Sequence, residues 1–159
     1  MNDVTLFAFE SDFVATLRCI PMAVRFKLDS CGVKLTLRQW SRLSMDQRGV
    51  LLRQACASPP DVTAYREMLA AYVAARGAEP LRLLGEPAEA PSTARGPMPQ
   101  AVAAFAVTVG ARPPSPCEWS SLRVLQRFAL IKLSRDNHDN VNFVPALREF
   151  GLGPKRREP

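Results

Sequence analysis

Several features that serve catalysis or membrane insertion are scarce in this sequence or missing from it. The single histidine, His138, lies in the polar segment RDNHDN, where a turn-forming loop explains it better than a general base or a metal ligand. No nucleophile motif, phosphate-cradling glycine loop or dinucleotide fingerprint occurs. The longest uncharged apolar run, residues 100–111, has twelve residues and is too short to cross a bilayer. We therefore predict neither an enzyme nor a membrane-spanning protein.

Closely spaced cysteines are missing as well. The four cysteines lie at wide, irregular intervals, and no two form the C-x-x-C unit of common zinc and redox sites. The opening residues MNDVTLFAFESDF are acidic where a secretory signal needs a basic start and an apolar stretch. We therefore expect a cytoplasmic protein with four free thiols, several of them buried: Cys19, Cys31, Cys56 and Cys117.

The chain has enough apolar residues for one substantial core. Of its 159 residues, 47% are hydrophobic, which is usual for a single compact domain. The formal net charge is +6, from 21 Lys and Arg against 15 Asp and Glu. This excess permits an anionic partner, but it does not choose among nucleic acid, acidic protein and phosphorylated cofactor.

Start and stop signals predict three helices in the first half, over 21–32, 45–56 and 58–77. Proline suits the first turn of the first helix, and glycine suits the residue after its end. A capping box formed by Ser44 and Gln47 starts the second. Apolar residues repeat at helical spacing in the first and third helices: Ile20, Val24, Leu28 and Cys31, then Val62, Tyr65, Leu69, Tyr72 and Val73.

Two segments of the first half have weaker patterns. Residues 6–13 alternate imperfectly, which predicts an extended arm that places Phe7, Phe9 and Phe13 on the core. The segment VKLTL, residues 33–37, is either a short strand or a connecting turn.

The second half begins after a connection rich in Pro, Ala, Gly and Glu. Residues 78–99 have no sustained period and are expected to form a flexible linker. Helices are predicted over 99–110, 122–133 and 142–150, the second of which is apolar almost all round and is expected at the centre of the core. The basic tail, 151–159, is expected to be disordered.

The two halves share a sequence pattern. Residues 40–51 match residues 119–130 at a tryptophan, a serine, a leucine, a Gln-Arg pair and a final leucine. Either the halves are related or the same helix-start chemistry occurs twice. Arg127 lies within the most apolar helix, so we expect it to pair with a core carboxylate or carbonyl, and Arg48 to do the same in the first half.

These patterns predict an all-α fold. We expect residues 1–150 to form a single compact bundle of five to seven helices, with two related helical halves joined by the Pro/Ala-rich linker.

Two long runs of the sequence are distinctive: LRCIPMAVRFKLDSCGVKLTLRQW, residues 17–40, and WSSLRVLQRFALIKLS, residues 119–134. Both strongly resemble the nitrate-reductase-associated protein family. The start FAFESDF and the end NFVPALREF are also similar to that family, so the resemblance reaches both ends of the domain. Rare combinations such as RCIPM and LDSCG make it specific. The resemblance implies a cytoplasmic accessory protein of assimilatory nitrate reductase, acting in maturation, cofactor insertion or stabilisation of that molybdenum and iron–sulfur enzyme. It implies a pathway and no reaction.

Cations at the first helix are the leading candidates for partner or anion binding. Arginine forks suit phosphate and carboxylate, although an ordinary solvated helix face explains these residues equally well. The full candidate set is Arg18, Arg25, Lys27, Lys34 and Trp40.

Cys19 and Cys31 flank the first helix, and thiolates are natural ligands of iron–sulfur clusters and soft metals. Twelve helical positions hold them about 16 Å or more apart, too far to share one metal without Cys56 or Cys117. Buried structural thiols are therefore the default, and we predict no metal and no cofactor.

Three functions remain to be compared. The leading hypothesis is a non-catalytic protein that binds nitrate reductase. The alternative is a carrier of a molybdenum pterin or another anionic cofactor, held by Arg18, Arg25 and Lys27. A DNA-binding regulator of nitrate genes ranks last, because the basic residues are scattered over several elements instead of lying on one recognition helix.

Overall fold

The computed structural model describes residues 6–10, 17–77, 79–135 and 141–153. Within these ranges the chain forms nine α-helices, one short 3-10 helix (Ala8–Glu10) and two strands, β1 (Val33–Lys34) and β2 (Arg82–Leu83). The α-helices are α1 (Met22–Cys31), α2 (Leu37–Arg42), α3 (Met45–Arg53), α4 (Pro59–Ala75), α5 (Glu89–Thr93), α6 (Gln100–Thr108), α7 (Pro116–Ser121), α8 (Val124–Leu133) and α9 (Phe143–Glu149).

The all-α prediction is confirmed, but the number of helices was underestimated. The described residues contain nine instead of five to seven, because α2, α5 and α7 have only five or six residues each. Such helices are too short to show a hydrophobic period. Across the described ranges, no helix is long and apolar enough to span a membrane.

The chain divides into two compact units between Glu89 and Ala90, and residues 7–9 belong to the second unit. The division falls inside 78–99, the segment predicted to connect two halves. This segment has regular structure of its own, because β2 and α5 lie within it.

In the first unit, α1 packs against α3 and α4. Gly32 ends α1 in a left-handed conformation, with φ of 65°, and its N–H donates to the carbonyls of Leu28 and Asp29. The chain then enters β1, which pairs antiparallel with β2 so that Val33 lies opposite Leu83. Side chains of all three helices fill the core: Val24, Leu28, Leu51, Tyr65, Leu69 and Val73.

In the second unit, α8 packs against α6 and α9. The predicted central helix is confirmed as core, because Phe128, Ala129, Leu130, Ile131 and Leu133 are all buried. Phe105 of α6 meets Phe143 of α9 edge to face, with ring centroids 4.9 Å apart.

Most predicted helix boundaries are confirmed within one or two residues. The helix predicted over 45–56 ends earlier, at Arg53, because Gln54 turns to an extended conformation with ψ of 133°. The predicted extended arm is wrong over Ala8–Glu10, which forms a 3-10 helix. Phe7 is buried as expected, and its ring stacks on Phe9 at 5.3 Å. Phe13, His138 and residues 154–159 of the tail lie outside the described residues.

Candidate partner-binding surface

Each unit contains the same pair of helices, a six-residue helix followed by a longer one. A capping box starts α2, in which the Thr36 hydroxyl accepts the Gln39 N–H and the Gln39 side chain accepts the Thr36 N–H. Ser115 and Glu118 form the same box at the start of α7. These boxes explain why helices form where apolar periodicity is absent, because they satisfy backbone donors that a short helix leaves open.

A buried tryptophan anchors each short helix. Trp40 is 0% exposed and its indole N–H donates to the Leu17 carbonyl at 2.7 Å. Trp119 is 2% exposed and donates to the Gly96 carbonyl at 3.0 Å. Trp40, a predicted partner-binding residue, is therefore a core residue whose ring cannot reach a partner in this structure.

The Arg48 side chain of α3 caps the carboxyl end of α2. Its Nε donates to the Trp40 carbonyl at 3.1 Å, and its two terminal nitrogens donate to Ser41 at 2.7 Å and Leu17 at 3.3 Å. A cation is favourable there, because the last carbonyls of a helix are unsatisfied and carry partial negative charge.

Arg127 of α8 does the same for α7. Its Nε donates to the Trp119 carbonyl at 2.9 Å, and its terminal nitrogens donate to Ser120 at 2.7 Å and Ala94 at 3.3 Å. The expected pairing of both arginines is confirmed, with carbonyls as the acceptors. Two of the three acceptors, the tryptophan and serine carbonyls, lie at matching positions in the two halves. Helix-start chemistry alone does not require these contacts, so they support two related halves.

Two predicted anion-binding cations are directed at the backbone instead. Lys27 Nζ donates to the carbonyls of Leu52 and Gln54, both at 2.7 Å, where α3 ends. Burial lowers the pKa of this ammonium group. Arg25 Nε donates to the Ile20 carbonyl at 3.0 Å. These two side chains therefore stabilise the first unit and are not displayed together for a ligand.

Arg18 remains exposed and meets cations that the sequence did not single out. An open depression of about 490 Å³ is lined by Arg18, Leu37, Arg38, Ser41 and Arg48. A smaller depression of about 230 Å³ shares Arg38 and adds Arg42. We call the exposed residues Arg18, Leu37, Arg38, Ser41 and Arg42 the arginine surface. Lys34 is also exposed but lines neither depression.

Apolar groups accompany these cations. Leu37 is 56% exposed at the start of α2, and Met45 is 49% exposed at the start of α3. The Met45 sulfur lies 3.8 Å from a terminal nitrogen of Arg48, which itself lines the larger depression. Arginine and methionine are enriched in protein interfaces, so this composition suits a protein partner.

The second unit has an equivalent depression with fewer cations. It measures about 550 Å³, and Arg95, Pro116, Ser120 and Arg127 line it. The helix positions equivalent to Arg38 and Arg42 hold Cys117 and Ser121. The extra positive charge on the short helix is therefore specific to the first unit.

The capping residues differ in charge as well. Glu118 forms an ion pair with Arg112 at 2.7 Å in the second unit. Hydrogen bonds from the Arg112 side chain and the Ser115 backbone lower the pKa of the Glu118 carboxyl to about 2. The equivalent residue in the first unit is the neutral Gln39, so the capping box adds no carboxylate beside the arginines. Glu79 is the carboxylate residue that lines the smaller depression.

The hypothesis of a metal at Cys19 and Cys31 gains no ligand set from the structure. Among the residues that it describes, no three His, Cys, Asp or Glu side chains are grouped to hold a metal ion. Cys31 lies against Cys56, with the two sulfur atoms 3.2 Å apart.

The sequence contained a signal for the arginine surface. The pattern T-x-x-Q at Thr36 is the same kind of capping box as the one recognised at Ser44. It predicts a helix from Leu37, on which Arg38 and Arg42 are four residues apart and share one face.

Comparison with known proteins decides the family. The model of the conserved nitrate reductase-associated protein family matches residues 6–150. The chain belongs to this family. The match spans both units of the chain and includes every residue of the arginine surface. No curated protein and no solved structure matches the chain.

Proposed function

We propose that this chain is a non-catalytic, cytoplasmic accessory protein that docks on nitrate reductase through the arginine surface and supports its activity. Family membership supports the choice of partner. The observation that carries the docking site is the exposed group of Arg18, Arg38 and Arg42, with Leu37 exposed beside Arg18 and Arg38. The function is maturation of the enzyme, through cofactor insertion or stabilisation of the apoenzyme.

The surface indicates the chemistry of the docked region. Three guanidinium groups suit carboxylates, which accept two parallel hydrogen bonds from each fork. Leu37 is 56% exposed beside Arg18 and Arg38, which favours an apolar contact there. We therefore expect an acidic patch of the reductase with an apolar residue among its carboxylates.

The pterin-carrier alternative has less support. It needs Arg18, Arg25 and Lys27 to converge on one anion, whereas Arg25 and Lys27 donate to backbone carbonyls. The docking hypothesis needs exposed cations, and Arg42 is exposed although one terminal nitrogen donates to the Gly77 carbonyl at 3.3 Å.

The test compares two double variants that each remove two positive charges. Arg38→Ala with Arg42→Ala should weaken binding to purified apo-nitrate reductase about tenfold or more, as expected for central interface arginines. The matched control, Arg82→Ala with Arg95→Ala, removes exposed charges elsewhere and should leave the affinity within about threefold. Biolayer interferometry at fixed ionic strength measures both.

Two results would contradict the proposal at different levels. Equal affinity of both double variants and the wild type would place docking on another surface. If the wild-type chain did not bind the reductase, and cells lacking it kept normal reductase activity, the accessory function itself would be rejected.

A further inference from the structure

Cys31 and Cys56 form a close thiol pair in the first unit. Their sulfur atoms are 3.2 Å apart although the residues are 25 positions apart in sequence. A disulfide requires about 2.05 Å, so the sulfurs need to approach by only about 1.2 Å.

Both cysteines lie at or beyond the end of a helix. Cys31 is the last residue of α1 and precedes Gly32, whose left-handed conformation ends the helix. Cys56 lies in the connection between α3 and α4, outside either helix. Neither cysteine is in the middle of a helix, so the movement does not require a helix to break.

The surroundings favour a reactive thiolate. The hydrogen bond from Cys56 lowers the pKa of the Cys31 thiol despite its burial, and Arg66 lowers it further. The same hydrogen bond raises the pKa of Cys56, so we expect Cys31 to be the nucleophile of the pair. Cys31 is 4% exposed and Cys56 is half-buried, so an oxidant that reaches the pair has to be small.

We propose that Cys31 and Cys56 are a redox modification site, at which a small hydroperoxide oxidises Cys31 and Cys56 then closes a reversible disulfide. In the first step the Cys31 thiolate attacks one peroxide oxygen, the O–O bond breaks, and Cys31 becomes a sulfenic acid as hydroxide leaves. In the second step Cys56 loses its proton and attacks the Cys31 sulfur, and water leaves with that proton. Together, two thiols and one hydrogen peroxide give one disulfide and two waters.

The primary test uses the unmodified full chain. It is treated with a few equivalents of hydrogen peroxide, alkylated under denaturing conditions, digested and analysed by mass spectrometry. We expect most chains to give a peptide pair joined through Cys31 and Cys56. Its mass should be about 2 Da below that of the two reduced peptides, and dithiothreitol should separate the pair. Two results would overturn the proposal. Either both cysteines are alkylated, which shows that neither was oxidised, or Cys31 is converted to a sulfinic acid and no linkage forms.

Variants test the order of the steps. In Cys56→Ser, the sulfenic acid at Cys31 cannot be resolved and should be trapped by dimedone, while Cys31→Ser should give no adduct at Cys56. Cys19→Ser is the matched control and should keep the Cys31–Cys56 linkage. A linkage between Cys19 or Cys117 and either member of the pair in the wild type would also contradict the proposal.

Discussion

The guanidinium groups of Arg48 and Arg127 perform the same task in separate units. Each donates to three backbone carbonyls, two of which belong to the last turn of a six-residue helix. A helix that short has few internal hydrogen bonds, so its end depends on outside donors. Leucine or lysine at either position lacks the planar fork that reaches three acceptors.

Substituting these arginines by methionine tests that role. Arg48→Met and Arg127→Met keep an apolar stem but leave carbonyls unsatisfied, so each should lower the free energy of unfolding by about 1–3 kcal/mol. Urea denaturation followed by circular dichroism measures the change. Arg38→Met removes an exposed guanidinium and should stay within about 0.5 kcal/mol of the wild type. Equal effects at Arg38 and Arg48 would show that the carbonyl contacts add no stability.

At the scale of elements, the end of α1 depends on the segment after β2. Gly32 has φ of 65°, and a Cβ at this position would lie 3.3 Å from the Glu86 carbonyl oxygen and 3.4 Å from that of Leu84. The Leu84 N–H also donates to the Gly32 carbonyl at 2.7 Å. Part of the predicted linker thus packs tightly on a helix end, and only a glycine fits there without displacement.

Gly32→Ala and Gly77→Ala separate steric contact from backbone strain. Both glycines have positive φ, of 65° and 62°, but no atom lies within 4 Å of a Cβ built at Gly77. Gly77→Ala should therefore introduce backbone strain alone and lower the free energy of unfolding by about 1–2 kcal/mol. Gly32→Ala should lower the free energy of unfolding clearly more, because the Glu86 carbonyl must also move. Thermal and urea unfolding provide the measurement, and equal costs would exclude tight packing at Gly32.

At the scale of the whole molecule, the two units contain the same helix pair but differ in charge. Both units keep the buried tryptophan and the capping arginine, which stabilise the helix pair. Only the first unit has arginines at the two exposed positions of the short helix, where the second has Cys117 and Ser121. Residues that maintain the pair are shared, whereas exposed residues that can contact a partner differ.

The net charge of +6 makes association with an acidic partner sensitive to salt. Raising the salt from about 50 mM to about 500 mM should weaken binding to nitrate reductase about tenfold, mainly by slowing association. The double variant Arg38→Ala with Arg42→Ala should show a smaller dependence. Binding that is unchanged by salt in the wild type would instead indicate an apolar interface without arginine pairing.

Much of the helical content was predictable, because the signals that start and end a helix lie within a few residues of one another in the sequence. Ser58 caps α4 and Gly32 ends α1 as their sequence positions indicate. The short helices α2 and α7 were not predicted, because their apolar residues are too few to form a repeating pattern. Their capping boxes are nevertheless visible in the sequence. Of the predicted site, Arg18 is exposed, Trp40 is buried, and Arg25 and Lys27 donate to carbonyls.

The sequence by itself determined the all-α fold class, the main helices, the positive charge and the paired pattern of tryptophan and arginine, because each depends on composition or on residues a few positions apart. Tertiary structure alone decided which cations face solvent. Lys27 finds its acceptors 25 and 27 positions away, and Cys31 meets a sulfur 25 positions away. Such contacts depend on how the helices pack, and no local pattern specifies which distant groups meet.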